Sequence, residues 1–114
     1  MKKPNLLLIS IDSLRADHLS AYGYAKETTP YLTELAEEGV LFQNAFSASN
    51  WTGAAVASLL TGRYPTTHGY TNQRYYLDAD VPTLADQMQA VGYRTACFSN
   101  SLYITAQTGL NRGF

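Results

Sequence analysis

Asn5-Leu6-Leu7-Leu8-Ile9-Ser10-Ile11-Asp12 is an apolar run with no polar face that ends on a carboxylate. A strand with one wet face alternates polar and apolar residues, so a run without alternation fits a strand covered on both sides, as in a parallel sheet. Beyond it, Thr28-Thr29-Pro30 predicts a helix start with proline at the first helical position, and Tyr31, Leu32 and Leu35 fall on one face before Gly39. Val40 to Phe46 reads as a second strand. Trp51-Thr52-Gly53-Ala54-Ala55 begins an alanine-rich helix that should run through Leu59 and Leu60 and stop at Gly62. Pro82 and Thr83 open another helix carrying Leu84, Met88 and Val91 before Gly92, and Arg94 to Ser99 resumes strand character. Alternation of strands and helices predicts right-handed βαβ units in an α/β fold, an αβα sandwich around a doubly wound, mostly parallel sheet.

The rest of the chain bounds what this fold can do. At 114 residues it makes one domain at most, and 46% hydrophobic with 15% charged residues is a composition that wants a core. Eight Lys plus Arg against nine Asp plus Glu give a net charge of -1, which offers no footprint for nucleic acid or an anionic membrane surface. The single Cys97 has no partner for an internal disulfide or for zinc-ligand spacing. Two lysines before Leu6 imitate a signal peptide, but the apolar run is short and Asp12 breaks it. No stretch approaches the roughly 18 apolar residues of a membrane span. A cytoplasmic protein is expected. Because no strand or helix follows the Tyr103–Thr108 loop, the chain is expected to be the N-terminal portion of a longer catalytic domain, incomplete at its C-terminus.

Asp12 and Thr52 are the first candidates for chemistry. Ligand crevices in open α/β sheets lie beyond the carboxyl ends of the strands, which suits Asp12 as a metal ligand; an Asp capping a helix that starts at Ser13 is equally consistent. Thr52 precedes Gly53-Ala54-Ala55 at a helix N-terminus, where backbone amides and the helix dipole favour an anion or an alkoxide. A threonine N-cap is the commoner use of that residue there.

Ser58-Leu59-Leu60-Thr61-Gly62-Arg63-Tyr64-Pro65, followed by His68-Gly69, decides between these readings, because it resembles the signature of the sulfatase family within the alkaline phosphatase superfamily. In that family the stretch reads approximately C/S-x-P-S-R-x-x-L-L-T-G-R-Y-P, with the modified cysteine or serine nine residues before the threonine of T-G. That position falls on Thr52. NLLLISIDSLRADHLSAYGY resembles the family's N-terminal strand with its metal-binding Asp, here Asp12, and TTPYLTELAEEGVLFQNAFS and VPTLADQMQAVGYRTACFSNS are similar to later family segments. The resemblance covers nearly the whole chain. It implies an alkaline-phosphatase-like fold and a divalent cation (calcium, magnesium, manganese or zinc) held by Asp12, Thr52 and residues beyond position 114. It also implies a small-molecule phosphate or sulfate ester as substrate; the net charge leaves neither nucleic acid nor membrane as an expected partner, and with only two of the metal ligands these 114 residues are expected to be inactive alone.

Three departures bear on the chemistry. Threonine cannot be matured to formylglycine, the family's arginine falls on Val56, and the lysine and histidine of its G-K-W-H segment fall on Asn100 and Leu102. A threonine nucleophile resembles instead the phosphodiesterase and phosphoglycerol-transferase branches of the superfamily. Those phosphodiesterases carry an asparagine shortly after the H-G pair, which points to Asn72, although Asn72 is also an ordinary turn residue. Asn72 and Asn100 are therefore the substrate-binding candidates, and phosphodiester cleavage is expected over sulfate-ester cleavage. His68 reads as a hydrogen-bonded structural histidine, Arg15 and Arg63 as satisfied surface groups, and Cys97 as an inert member of a buried strand. The rival from another class is a non-catalytic αβα binding or scaffold domain.

Overall fold

The structure, a computed structural model, describes residues 3–114. It separates into two compact units, one ending at Ala45 and the other Phe46–Phe114. Among the described residues the elements are the 3-10 turns Ala16–His18 and Ser20–Tyr22 and the helices α1 (Pro30–Glu38), α2 (Thr52–Thr61), α3 (Pro65–His68) and α4 (Leu84–Ala90).

The first unit is organised by a single hydroxyl. Ser20 Oγ accepts from the backbone N–H groups of Thr28 and Thr29, both at 3.0 Å, and Ser20 N–H donates to Thr29 Oγ1 at 3.2 Å. Thr28 Oγ1 donates to the His18 carbonyl at 2.7 Å, so the residues preceding α1 are sewn onto both 3-10 turns. Proline then opens α1 as its position predicts, because its missing N–H falls where a helix has no acceptor to offer. The Tyr31, Leu32 and Leu35 face predicted for α1 is present but exposed.

The second unit holds the larger core. α2 is apolar on most sides, and Ala57 and Leu60 bury against Tyr70, Leu77, Val81 and Leu110. Gly62, at φ 66°, closes α2 with its N–H on the Ser58 carbonyl at 2.8 Å, a left-handed cap that a residue with a Cβ adopts only at a cost. α4 begins with a reciprocal box: Thr83 Oγ1 accepts from Asp86 N–H at 3.1 Å, and Asp86 Oδ2 accepts from Thr83 N–H at 2.9 Å. The same Thr83 hydroxyl donates to the Arg112 carbonyl at 3.1 Å. Arg112 in turn donates to the carbonyls of Ala79 at 2.7 Å and Val81 at 2.6 Å, which fastens the end of the chain under the loop before α4.

The predicted strands are where structure and sequence part. No β-ladder forms among the described residues; the only β-type pairing there is the isolated bridge between Thr71 and Arg74. Residues 5–11, 40–46 and 94–99 are irregular, and most of their side chains are open to solvent, Leu7 at 85% and Phe98 at 97%. The physical reason is that a strand is defined by a neighbour. Parallel ladders recruit that neighbour from remote sequence, and none of the described residues pairs with these segments. Cys97 is accordingly exposed rather than buried, on the wall of a hollow of about 460 Å³ that Phe98, Ile104 and Phe114 also line.

Leu110 is completely buried and Leu102 is not, so truncating each to alanine separates packing from composition. Leu110→Ala is expected to cost about 2–5 kcal/mol, and Leu102→Ala less than about 0.5 kcal/mol. Urea denaturation followed by the emission of Trp51, the chain's one tryptophan, measures both.

Candidate active site

Thr52 is the first helical residue of α2, and Trp51 occupies the N-cap. The N-cap role considered for this threonine is therefore taken by its neighbour, which makes no side-chain capping bond. Serines fix the approach instead: Ser47 Oγ donates to the Ser49 carbonyl at 2.7 Å, and Trp51 N–H donates to Ser49 Oγ at 3.1 Å. Ala55 N–H then makes the first intrahelical bond, to the Trp51 carbonyl at 3.0 Å.

The indole of Trp51 is held by three tyrosines. Its ring lies 5.7 Å from Tyr70, 5.3 Å from Tyr75 and 5.4 Å from Tyr103, the last two edge-on. Aromatic pairs in such geometry contribute about 0.5–1.5 kcal/mol each beyond area burial. Gly53 makes the arrangement possible, since a Cβ there would sit 2.8 Å from both the Trp51 and Tyr70 rings. A helical glycine costs about 1 kcal/mol against alanine, and close approach of two rings is what that cost secures. Tyr70 is fully buried, and its hydroxyl has no hydrogen-bond partner among the described residues. Burial raises its pKa above the ordinary phenol value, with Tyr103 and Tyr75 adding to the effect.

His68 braces the same helix from the end of α3. It is 1% exposed, its Nδ1 accepts from Tyr70 N–H at 3.0 Å, and its Nε2 lies 2.9 Å from Ser58 Oγ. The pair imitates a Ser–His dyad, but the proton count excludes that role. A backbone N–H donates to Nδ1, so the neutral ring carries its hydrogen on Nε2, facing Ser58 and the Ala54 carbonyl. A base must accept from its serine, and this histidine donates. The expectation of a structural histidine holds.

Beside the start of α2 lies a cavity of about 230 Å³, lined by Ser49, Asn50, Trp51 and Ala54 and by Pro65, Thr71 and Asn72. Asn72 sits at the tip of a tight turn in which Thr71 N–H donates to the Arg74 carbonyl at 2.9 Å and Arg74 N–H to the Thr71 carbonyl at 3.2 Å. It is thus the turn residue that the sequence allowed, and it also lines the cavity. Asn100 is exposed on the irregular segment before Ser101 and does not line this cavity. The cavity wall carries amides, hydroxyls and an indole but no charged side chain, a combination that favours neutral hydrogen-bonding groups.

Asp12 belongs to the first unit. No helix starts beside it: Asp12 and Ser13 form a turn with Ser13 at φ 59°, and the next helical turn begins at Ala16, so the helix-capping alternative for Asp12 is set aside. Further along, Arg15 and Asp17 form an exposed pair, with Nε to Oδ1 at 2.9 Å, and Asp17 Oδ1 also meets His18 Nδ1 at 3.0 Å. These partners hold the Asp17 carboxyl well below the usual range, Arg15 contributing most. Among the described residues no group of three or more His, Cys, Asp or Glu gathers to hold a metal ion. The donor set present here does not by itself fit a divalent cation.

The sulfatase family profile matches residues 4–114, which contain every site candidate above. The chain belongs to the sulfatase family. It is 36% identical over 99 residues to an N-acetylgalactosamine-6-O-sulfatase of Bacteroides thetaiotaomicron, covering 82% of this chain and 19% of that protein. It is 39% identical over 94 residues to an ulvan-active sulfatase of Formosa agariphila, covering 82% and 18%, and 37% identical over 98 residues to bovine arylsulfatase A, covering 81% and 19%. The chain thus spans about a fifth of the length of these curated relatives. No solved structure is a significant match. In this sulfatase-family chain the residues missed from sequence were Trp51, Tyr70 and Ser58; the one available signal was a glycine in the first turn of an otherwise alanine-rich helix.

Burial lowers the His68 pKa below the ordinary histidine value. The folded protein therefore resists a proton that the unfolded chain accepts near pH 6.5. The stability it contributes is complete above about pH 6.5 and declines as the pH falls from there towards the depressed folded-state value. Replacing His68 with Gln is expected to lower stability at pH 8 and to flatten its fall below pH 6.5, as measured by urea midpoints across the range.

Proposed function

We propose that the protein hydrolyses sulfate esters, or closely related phosphate esters, with Thr52 as the nucleophile. The observation that carries this reading is the position of Thr52 in the first turn of α2, within the family-matched span and next to a neutral polar cavity. In the proposed reaction Thr52 Oγ bonds to the sulfur or phosphorus while the bond to the leaving oxygen breaks, and the departing alcohol keeps the proton lost by the threonine. Water then attacks the same centre and regenerates the hydroxyl. The first-turn amides and the positive end of the helix dipole favour the developing negative charge. Asn72, on the cavity wall, is proposed to bind the leaving group; Asn100 is proposed as a weaker contact, and Asp12 as a carboxylate available to a divalent cation.

The names of the relatives, sulfatases of an amino sugar, a polysaccharide and an aryl ester, support sulfate as the transferred group. Threonine favours the second reading, a phosphodiester. A formylglycine hydrate expels sulfate by collapsing to its aldehyde, whereas a threonine ester has to be displaced by a second attack, which phosphorus accepts readily.

Rates on p-nitrophenyl sulfate, p-nitrophenyl phosphate and bis(p-nitrophenyl) phosphate test both readings. Thr52→Ala is expected to lower the dominant activity about a thousandfold or more. A dominant rate that survives the substitution removes Thr52 from the mechanism, and no turnover of any of the three esters by intact protein favours a non-catalytic domain.

A further inference from the structure

We infer that Trp51 is a positioning residue for Thr52: its ring, seated on the bare Cα of Gly53 and flanked by Tyr70, Tyr75 and Tyr103, fixes the direction in which α2 begins. The inference rests on the reading of Thr52 as nucleophile. Three observations support it independently of that reading.

The N-cap of α2 lacks the side-chain bond that usually anchors a helix start, so something other than a cap has to hold the first turn. The indole is in van der Waals reach of that turn, because a Cβ on Gly53 would meet two of its ring carbons at 2.8 and 3.0 Å. Its other contacts come from Tyr70, Tyr75 and Tyr103, which belong to later segments of the same unit. The backbone of Trp51 is thereby tied to the core through its own side chain. Thr52, the next residue, inherits its direction from that backbone, and the Ala55 N–H to Trp51 C=O bond is the direct gauge of whether the turn is formed.

A displacement of about 1 Å in a reacting group can cost on the order of a hundredfold in rate without weakening ground-state binding. Removing the ring should therefore act on kcat rather than on KM. Trp51→Phe keeps an aromatic seat and serves as the conservative variant, Trp51→Leu removes it, and Gly53→Ala pushes the ring away while leaving it in the chain.

The experiment combines amide hydrogen exchange with steady-state kinetics on the full chain, using the ester from the panel above that the protein turns over fastest. In Trp51→Leu and Gly53→Ala, exchange at Ala55 is expected to rise about tenfold or more while Leu59 and Leu60 stay near wild type. Over the same variants kcat should fall about tenfold or more with KM within about twofold, and Trp51→Phe should recover a substantial part of both. Uniform acceleration at Ala55, Leu59 and Leu60 would make the ring a packing residue only, and unchanged Ala55 exchange would overturn the inference whatever the kinetics show. A rise in KM with kcat unchanged would overturn it in favour of direct substrate contact. Thr52→Ala, run in parallel, separates the two ideas: if it keeps the wild-type rate while Ala55 exchange still responds to Trp51, the nucleophile assignment has failed and the ring's hold on the helix start stands.

Discussion

Two aromatic rings close over the first turn of α2 because residue 53 has no side chain, and much of the second unit is arranged around that closure. Tyr70, one of the rings, is also a member of the buried cluster with Ala57, Leu60, Leu77, Val81 and Leu110. Its backbone N–H feeds His68, and His68 reaches Ser58 on α2. The helix start is thus held on one side by packing and on another by a buried imidazole whose proton position is dictated by the main chain. The arrangement leaves one buried hydroxyl, that of Tyr70, without a partner among the described residues, which is the sort of local deficit tolerated when surrounding contacts over-determine a position.

The first unit is built by different means. It has few buried side chains, Leu19 among them, and owes its local order to hydroxyls: Ser20, Thr28 and Thr29 exchange bonds with backbone and with one another. Within the described residues no burial accounts for the apolar residues at 6–11.

What was legible in the sequence was local. Pro30 at a first helical position, Gly62 at a C-cap and the capping box of Thr83 at the head of α4 each depend on residues within four positions, so a single sequence carries them. The motif around Ser58–Pro65 carried the family. The strands were not recoverable in the same way, because residues 5–11, 40–46 and 94–99 have β composition but a ladder is a property of two segments. Nor was the aromatic clasp, whose tyrosines stand at positions 70, 75 and 103 with nothing in their spacing from Trp51 to announce contact. His68 was legible as a structural histidine, but its partner Ser58 was not, because their contact depends on how α3 packs against α2.

The open segment at 6–11 has a consequence for the chain in solution. An uncharged, β-prone stretch of about six residues is the unit from which cross-β assemblies nucleate. Here it is bracketed in the sequence by Lys3 and Pro4 on one side and by Asp12 on the other. A charge and a proline at such borders act as gatekeepers, setting like charges against one another in any stacked array and denying it one backbone donor. Asp12 thus protects the segment from self-association by virtue of the same negative charge that suits it to a cation, and a substitution that neutralises it would bear on solubility as well as on chemistry.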